Sequence, residues 1–232
     1  MEKIRIGIDL DHVIRDINRQ IVKYYQKDID ESIDIDDVDY KDDVIENVCH
    51  FDSKDELDIF LYEEYPLEVF GHAGQVDRNL SRDINLWMEK LTNQEVYDVE
   101  LFFYSMKEQN LTIQSTYFFL SKIGSRVRKV VFPKSIEELN DLGDVFITAY
   151  EKNAKSLHKM GKKVIFIKTH CNGAGLKYAD TSYDSLREFL DDEEKLNNVA
   201  KIAGKCQKQK KAKLSWMSMR SWISSFLPMR KK

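Results

Sequence analysis

The chain has 232 residues, of which 42% are hydrophobic and 33% are charged, as expected for a folded globular protein and not for a disordered one. Three cysteines without a C-x-x-C pair give no sign of a disulfide framework or a zinc site. No apolar run approaches the roughly 20 residues that span a bilayer, and the first residues lack the pattern of a signal peptide. We therefore expect a cytoplasmic protein with one folded core.

The charge is divided unevenly along the chain. The net charge is −4, but residues 201–232 contain ten of the 36 Lys and Arg residues and none of the 40 Asp and Glu residues. Residues 1–200 therefore carry −14 and the remainder +10. Such a division predicts a separate role for the C-terminal part, or its docking on the acidic body.

The N-terminal segment predicts a buried parallel strand followed by a helix. Residues 4–10 form a short apolar, β-branched run that ends with two aspartates. This is typical of a strand whose carboxyl end opens onto a site. Apolar residues at helical spacing then predict a helix over residues 13–27.

Residues 28–75 are predicted to form a small helical cap inserted after strand one. Acidic residues crowd the first part of this segment, and the apolar residues between them indicate short helices with solvated faces. Pro66, Gly71 and Gly74 interrupt the pattern, and a helix is predicted over residues 75–91.

After the cap, short apolar runs alternate with helical stretches, as in a doubly wound sheet. Further strands are predicted at residues 98–104, 127–132, 144–148 and 164–168. Helices are predicted at residues 112–123, 152–160 and 182–190, the first two ending at Gly124 and Gly161. The predicted fold class is α/β, a Rossmann-like parallel sheet with helices on both faces, whose core comprises residues 1–27 and 76–190.

Asp9 and Asp11 are the first candidates for chemistry. Alternate side chains of a strand point the same way, so the two carboxylates converge unless the strand ends between them. Such a pair can hold Mg²⁺ and leave one carboxylate free to attack a substrate. An acidic surface loop would have the same spacing.

The stretch IGIDLDHVIRD resembles the first motif of the haloacid dehalogenase (HAD) superfamily. The resemblance implies a phosphohydrolase with Asp9 as the nucleophile and Asp11 as the general acid and base. It assigns Ser105, in VELFFYS, to a hydrogen bond with the phosphoryl group, and Lys134, in KVVFPK, to neutralisation of the phosphate. The match covers residues 3–172. The overall pattern of the chain is similar to the 5′-nucleotidase branch, which has a helical cap inserted after strand one.

The fourth motif departs from the family pattern. HAD members have acidic residues at the end of the fourth strand, where GDVFITAYE has Thr148 and Ala149. Glu151 could reach the site, or Thr148 could hold the metal through water. The resemblance therefore implies Mg²⁺ held by Asp9, Asp11 and Thr148, with an affinity lowered by the missing carboxylates.

Arg15 and His12 are predicted to contact the substrate. Arg15 could bind a phosphate or a base, or could form a surface ion pair. In the family that this motif resembles, the position of His12 is often glycine, and the backbone of His12 would lie near the site. His72 is expected to be structural or solvated. Packing within the cap, with base stacking as the alternative, is expected for three aromatic residues: Tyr62, Tyr65 and Phe70.

Residues 191–232 are predicted to form a basic C-terminal tail. Residues 205–213 are a basic run, and residues 214–227 would place two Trp and other apolar side chains on one side of a helix. Within residues 205–232, such a helix suits an anionic membrane surface or self-association. Nucleic acid is a less favoured partner.

The sequence leaves two functions open. The first is a Mg²⁺-dependent phosphatase that acts on a small phosphorylated substrate, such as a nucleotide. The second is a catalytically degenerate HAD-fold binding protein that the tail attaches to a membrane surface or a partner. The altered fourth motif favours the second function, whereas the retained residues of the first three motifs favour the first.

Overall fold

The computed structural model describes six stretches of the chain: residues 3–40, 44–92, 98–108, 111–168, 173–192 and 194–203. Six of its strands are β1 (Lys3–Asp9), β4 (Asp98–Tyr104), β5 (Val130–Val131), β6 (Val145–Thr148), β7 (Lys163–Ile167) and β8 (Thr181–Tyr183). They form one sheet in the order β5-β4-β1-β6-β7-β8. Every neighbouring pair in this sheet is parallel. A short antiparallel ribbon joins β2 (Arg15–Asp16) to β3 (Gly74–Gln75).

Helices occupy much of the remaining described chain. They are α1 (Asn18–Asp28), α2 (Val44–Asn47), α3 (Lys54–Ile59), α4 (Leu80–Thr92), α5 (Thr112–Lys122), α6 (Glu151–Lys159), α7 (Leu186–Asp191) and α8 (Lys195–Ile202). π-Helical turns span Phe60–Glu64 and Leu67–Gly71, and 3₁₀ turns span Ile136–Leu139 and Gly173–Tyr178. None of the helices in the described stretches has the length and apolar character needed to cross a membrane.

The main sheet is buried on both faces. In β4, Leu101 and Phe103 pack into one hydrophobic cluster, whereas Phe102 and Tyr104 pack into a second. Alternate residues of a strand point to opposite faces, so the two clusters lie on opposite sides of the sheet. Residues of α1, α4 and α7 belong to the first cluster and residues of α6 to the second. The predicted α/β class, with helices on both faces of a parallel sheet, is confirmed.

The strand order creates a switch point beside β1. The chain passes from β1 to β4 and β5 on one side, and then to β6, β7 and β8 on the other. In open α/β sheets, ligands bind outside the carboxyl ends of the strands at such a point. Residues that follow β1, β4 and β6 are therefore brought together there.

The first helix begins later than the sequence predicts. α1 starts at Asn18 and not at residue 13. His12 has a φ of 61°, and the amides of Ile14 and Arg15 both donate to the Leu10 carbonyl, which closes a tight turn. The turn brings Arg15 beside Gln75 in the ribbon. Residues 13 and 14 are apolar because they are buried in this turn, not because they belong to a helix.

Other segments differ from the prediction as well, and the strand predicted at residues 127–132 comprises only Val130–Val131. The segment around Pro66 and Gly71 is mostly a π-helical turn, and α4 begins at Leu80 and not at residue 75. Ser182 lies in β8, and the predicted last helix begins only after Ser185, whose hydroxyl accepts a hydrogen bond from the Glu188 amide. Part of the predicted tail forms α8, where Val199 and Ala200 are buried in the core. Residues 204–232, with the predicted amphipathic helix, lie outside the described residues.

Gly7 allows two aromatic rings to approach the centre of β1. A methyl group at this position would lie 2.7 Å from the Phe102 ring and 2.8 Å from the Phe146 ring. We expect Gly7→Ala to lower the free energy of unfolding by about 1–3 kcal/mol, because the rings must shift. Urea unfolding measures the change. Gly74→Ala is the control, because nothing lies within 4 Å of its added methyl group. Equal stability of the two variants would contradict the packing described.

Candidate functional site

Asp9 ends β1, and its side chain is almost completely buried. The Thr148 hydroxyl, at the end of β6, donates to Asp9 Oδ2 at 2.8 Å. The side-chain amide of Asn153, in the first turn of α6, donates to the same oxygen at 3.0 Å. Burial, together with the negative charge of Asp11, raises the pKa of Asp9 to about 7. Neutral hydrogen-bond donors thus hold this carboxylate in place.

Asp11 lies beyond the end of β1, so the strand ends between the two aspartates. The Ser105 hydroxyl, directly after β4, donates to Asp11 Oδ2 at 2.7 Å. Arg15 donates to Asp11 Oδ1 from Nε at 2.9 Å and from Nη2 at 2.7 Å. Burial by itself would raise the pKa of Asp11, but the positive charges of Arg15 and Lys107 and these hydrogen bonds hold it below the ordinary value. Both oxygens of Asp11 therefore accept hydrogen bonds in its ionised form.

Arg15 links this site to the cap and to α5. Its guanidinium is fully buried and donates to Glu108 Oε1 at 2.7 Å, to the Thr116 hydroxyl and to the Phe70 carbonyl at 3.4 Å. The Phe70 ring centroid lies 5.1 Å from the guanidinium carbon. The surface ion pair that the sequence allowed is wrong, because Arg15 pairs with Asp11 and Glu108 in the interior.

The polar side chains that gather here are closed off from solvent. Five of the residues predicted from the sequence are at most 1% exposed: Asp9, Asp11, Arg15, Ser105 and Thr148. The structure therefore brings together five of the residues predicted from the sequence.

His12 and Tyr150 connect two of the loops that form the site. The positive φ of His12 belongs to the turn in which its amide donates to the Arg15 carbonyl at 3.0 Å. Its ring meets the Tyr150 ring edge to face, with centroids 5.1 Å apart. The Tyr150 amide donates to the Thr148 hydroxyl at 3.1 Å. A substrate contact by His12 remains a prediction.

Lys134 does not join this group of side chains. Its side chain is exposed, and its backbone amide donates to Glu138 at 3.3 Å. The positive charge of another lysine, Lys107, lowers the pKa of both Asp9 and Asp11. The sequence interpretation missed Lys107, although it follows Ser105 by two residues.

The end of β6 provides neutral groups where the family pattern has acids. Glu151 lies 4.0 Å from Lys177 and makes no described contact with Asp9. Asn153 was missed, although a polar residue in the first turn of a helix that follows a strand end is a recognisable signal. The family pattern has its acidic residues at positions that correspond to residues 148–151, so it does not indicate Asn153.

The donor set is compatible with Mg²⁺ but provides few charged ligands. The described residues contain no group of three or more His, Cys, Asp or Glu side chains placed to hold a metal. Mg²⁺ can bind through one or two carboxylates and complete its shell with water and phosphate oxygens. Asp9 and Thr148 offer a carboxylate and a hydroxyl 2.8 Å apart, which fits this requirement. Both oxygens of the other predicted ligand, Asp11, accept hydrogen bonds, and Asp9 accepts two at Oδ2, so Mg²⁺ would displace a hydrogen-bond donor at either residue.

The aromatic residues singled out in the cap pack against other residues. Phe70 is buried beneath Arg15, and the Tyr62 ring stacks on it with centroids 6.0 Å apart. The Tyr65 hydroxyl bonds to Asp28. His72 is exposed, and its ring lies 5.2 Å from that of Phe118. These contacts agree with packing roles.

Neither a family model nor a curated protein sequence matches the chain. Solved structures do match its fold. A haloacid dehalogenase-like family hydrolase from Streptococcus pneumoniae is 14% identical, with a TM-score of 0.52 over 77% of this chain and 92% of its own. A subfamily IA HAD-superfamily hydrolase from Geobacter sulfurreducens is 12% identical, with a TM-score of 0.51 over 81% and 95%. A haloacid dehalogenase-like hydrolase from Burkholderia xenovorans is 10% identical, with a TM-score of 0.54 over 84% and 99%.

These likenesses identify the class of fold. The chain has the fold of HAD-superfamily hydrolases, as the motif around Asp9 predicted. In this chain, the strand order brings Asp9, Ser105 and Thr148 together at the carboxyl ends of β1, β4 and β6. The resemblance to the 5′-nucleotidase branch remains a prediction.

Removal of Arg15 should destabilise the protein strongly. Arg15→Met would leave the carboxylates of Asp11 and Glu108 buried without their cation, a change that costs about 3–5 kcal/mol in other buried ion pairs. Chemical unfolding measures the loss. Arg82→Met is the matched control, because the Arg82 side chain is 70% exposed beside Asp83 and exposed ion pairs contribute little. A loss at Arg15 no larger than that at Arg82 would contradict the buried network.

Proposed function

We propose that this protein is a phosphohydrolase that acts on a small phosphomonoester through an aspartyl-phosphate at Asp9. The observation that carries the proposal is the placement of Asp9 at the switch point of a HAD fold, with Thr148 and Asn153 both bonded to its Oδ2. These bonds orient the carboxylate, so we assign Oδ1 as the attacking oxygen. The Ser105 hydroxyl, which donates to Asp11 in the structure, is assigned to donate a hydrogen bond to a phosphoryl oxygen of the substrate.

The reaction has two displacements at phosphorus. In the first, Asp9 Oδ1 forms a bond to phosphorus, the bond to the ester oxygen breaks, and the leaving alcohol gains a proton. In the second, water attacks phosphorus, its proton is taken up, and inorganic phosphate leaves as the Asp9 carboxylate is restored. In the second displacement, Asp11 is assigned to take up the proton of the attacking water; in the first, the leaving alcohol takes its proton from solvent, because an ionised Asp11 has none to give. Its hydrogen bonds to Arg15 and Ser105 favour the ionised form, which suits proton uptake from water.

Mg²⁺ is proposed as the cofactor, held by the side chains of Asp9 and Thr148. When bound, it would supply positive charge between the carboxylate and the phosphate. Only one of these two side chains is charged, so we expect binding that depends on phosphate oxygens for further ligands. Arg15 and Lys107 provide the protein's own positive charge at the site.

The first test is loss of the nucleophile. Asp9→Asn keeps the shape of the side chain and removes its ability to form the aspartyl-phosphate, so phosphate release should fall by roughly a thousandfold or more. The assay uses an aryl phosphate and a panel of nucleoside monophosphates, with and without Mg²⁺. The exposed cap residue Asp36, changed to Asn, is the control and should keep the wild-type rate. Equal rates in wild type and Asp9→Asn would contradict the proposal.

A second test concerns the metal. Thr148→Val preserves volume but removes the hydroxyl beside Asp9, so the Mg²⁺ concentration for half-maximal release should rise by about tenfold or more. The control is Thr181→Val, in the edge strand β8. Titration of Mg²⁺ after treatment with a chelator gives the comparison. An unchanged titration curve for Thr148→Val would remove Thr148 from the proposed metal site.

One observation favours a binding protein without turnover. Thr148 and Ala149 lie where HAD members have acidic residues. In addition, Arg15 and Ser105 donate hydrogen bonds to both carboxylate oxygens of Asp11. If the panel gave no phosphate release and calorimetry showed no Mg²⁺ binding, the HAD fold would serve for binding alone. A membrane surface or self-association through residues 205–232 stays a prediction under either function.

A further inference from the structure

Lys107 lies in a loop that is fixed to the site. It follows Ser105 by two residues, and its backbone amide donates to the Ser105 hydroxyl at 3.3 Å. That hydroxyl in turn donates to Asp11 at 2.7 Å. The loop after β4 therefore holds Lys107 near the switch point through the backbone.

The ammonium of Lys107 reaches toward the other half of the site. It lies 4.8 Å from the centroid of the Tyr150 ring. The Tyr150 amide is bonded to the Thr148 hydroxyl, which is bonded to Asp9. Lys107 therefore reaches from the loop after β4, where Ser105 bonds to Asp11, to Tyr150 after β6, where Thr148 bonds to Asp9.

Contacts and exposure separate Lys107 from Lys134. Lys107 is bonded to Ser105 through its backbone, and its ammonium reaches the ring of Tyr150, whose amide is bonded to Thr148. Lys134 is exposed on the segment after β5, and its described hydrogen bond runs from its backbone amide to Glu138. A long, flexible lysine side chain can follow a phosphate as a compact point charge.

Arg15 is poorly suited to this role. Its guanidinium is already committed to Asp11, Glu108 and Thr116 in the interior. If Arg15 turned toward a phosphate, it would leave two buried carboxylates without their cation. The incoming phosphate therefore needs another positive group that can move.

We propose that Lys107, and not Lys134, is the residue that binds and neutralises the phosphate group of the substrate. The inference rests on the proposed function and names the cation of that site. On phosphate binding, the ammonium contacts an oxygen of the phosphate, with no covalent change in the protein.

The experiment compares Lys107→Met with the matched variant Lys134→Met in the full-length protein. Two readouts are measured for each: kcat/KM for an aryl phosphate, and the affinity for tungstate, a phosphate mimic, by calorimetry. We expect Lys107→Met to lose about 100-fold or more in kcat/KM, as when one preorganised donor to a developing anion is removed. Its tungstate affinity should also fall at least about tenfold, since a charged hydrogen bond to the oxyanion is lost. Lys134→Met should match wild type in both, and Lys107→Arg should recover part of the tungstate affinity.

The outcomes distinguish this inference from the proposed function. If wild type binds tungstate but releases no phosphate, the phosphatase proposal fails, and Lys107 is still tested by the loss of tungstate binding. If Lys107→Met binds tungstate as wild type does, or if Lys134→Met shows the larger loss, the inference is overturned. Absence of tungstate binding in wild type overturns it as well. Thermal unfolding of each variant checks that Lys107→Met is folded.

Discussion

Two aspartates buried side by side after β1 impose the main constraint on this part of the molecule. Buried carboxylates are costly unless donors or cations match them. Asp11 is matched by Arg15, whereas Asp9 is matched by the neutral side chains of Thr148 and Asn153. The turn at His12, the early end of β1 and the β2–β3 ribbon all serve to return Arg15 to Asp11. The later start of α1 is a consequence of this return.

The same constraint attaches the segment around Phe70 to the core. Arg15 joins Asp11 to Glu108 and to the Phe70 carbonyl, and rupture of such a buried network costs about 3–5 kcal/mol. We therefore expect Arg15 to keep the segment around Phe70 attached to the end of β1.

The sequence predicts those parts of the fold that depend on local pattern. The β4 bounds agree with the prediction, and Gly124 and Gly161 adopt the positive φ values expected where helices end. The ribbon between Arg15 and Gln75 escapes prediction, because it pairs residues far apart in the chain and each strand has only two residues. The same reasoning applies to the site. The order of the motifs along the chain predicted Lys134. In the structure the Lys134 side chain is exposed, whereas the charge of Lys107 lowers the pKa of Asp9. The exposure of a lysine and its distance from the aspartates cannot be inferred from the order of motifs.

The neutral side chains of Thr148 and Ala149, at the end of β6, avoid adding a further negative charge to a region that already contains Glu108, after β4. Asp9, Asp11 and Glu108 already bring three carboxylates to this region, and Arg15 is shared between two of them. A further carboxylate at position 148 would face Asp9 directly, because the Thr148 hydroxyl lies 2.8 Å from it. Like charges so close together disfavour ionisation of both groups. A hydroxyl donor stabilises Asp9 without adding charge, and the guanidinium of Arg15 balances the charges of Asp11 and Glu108. The folded state of this site therefore depends on Arg15.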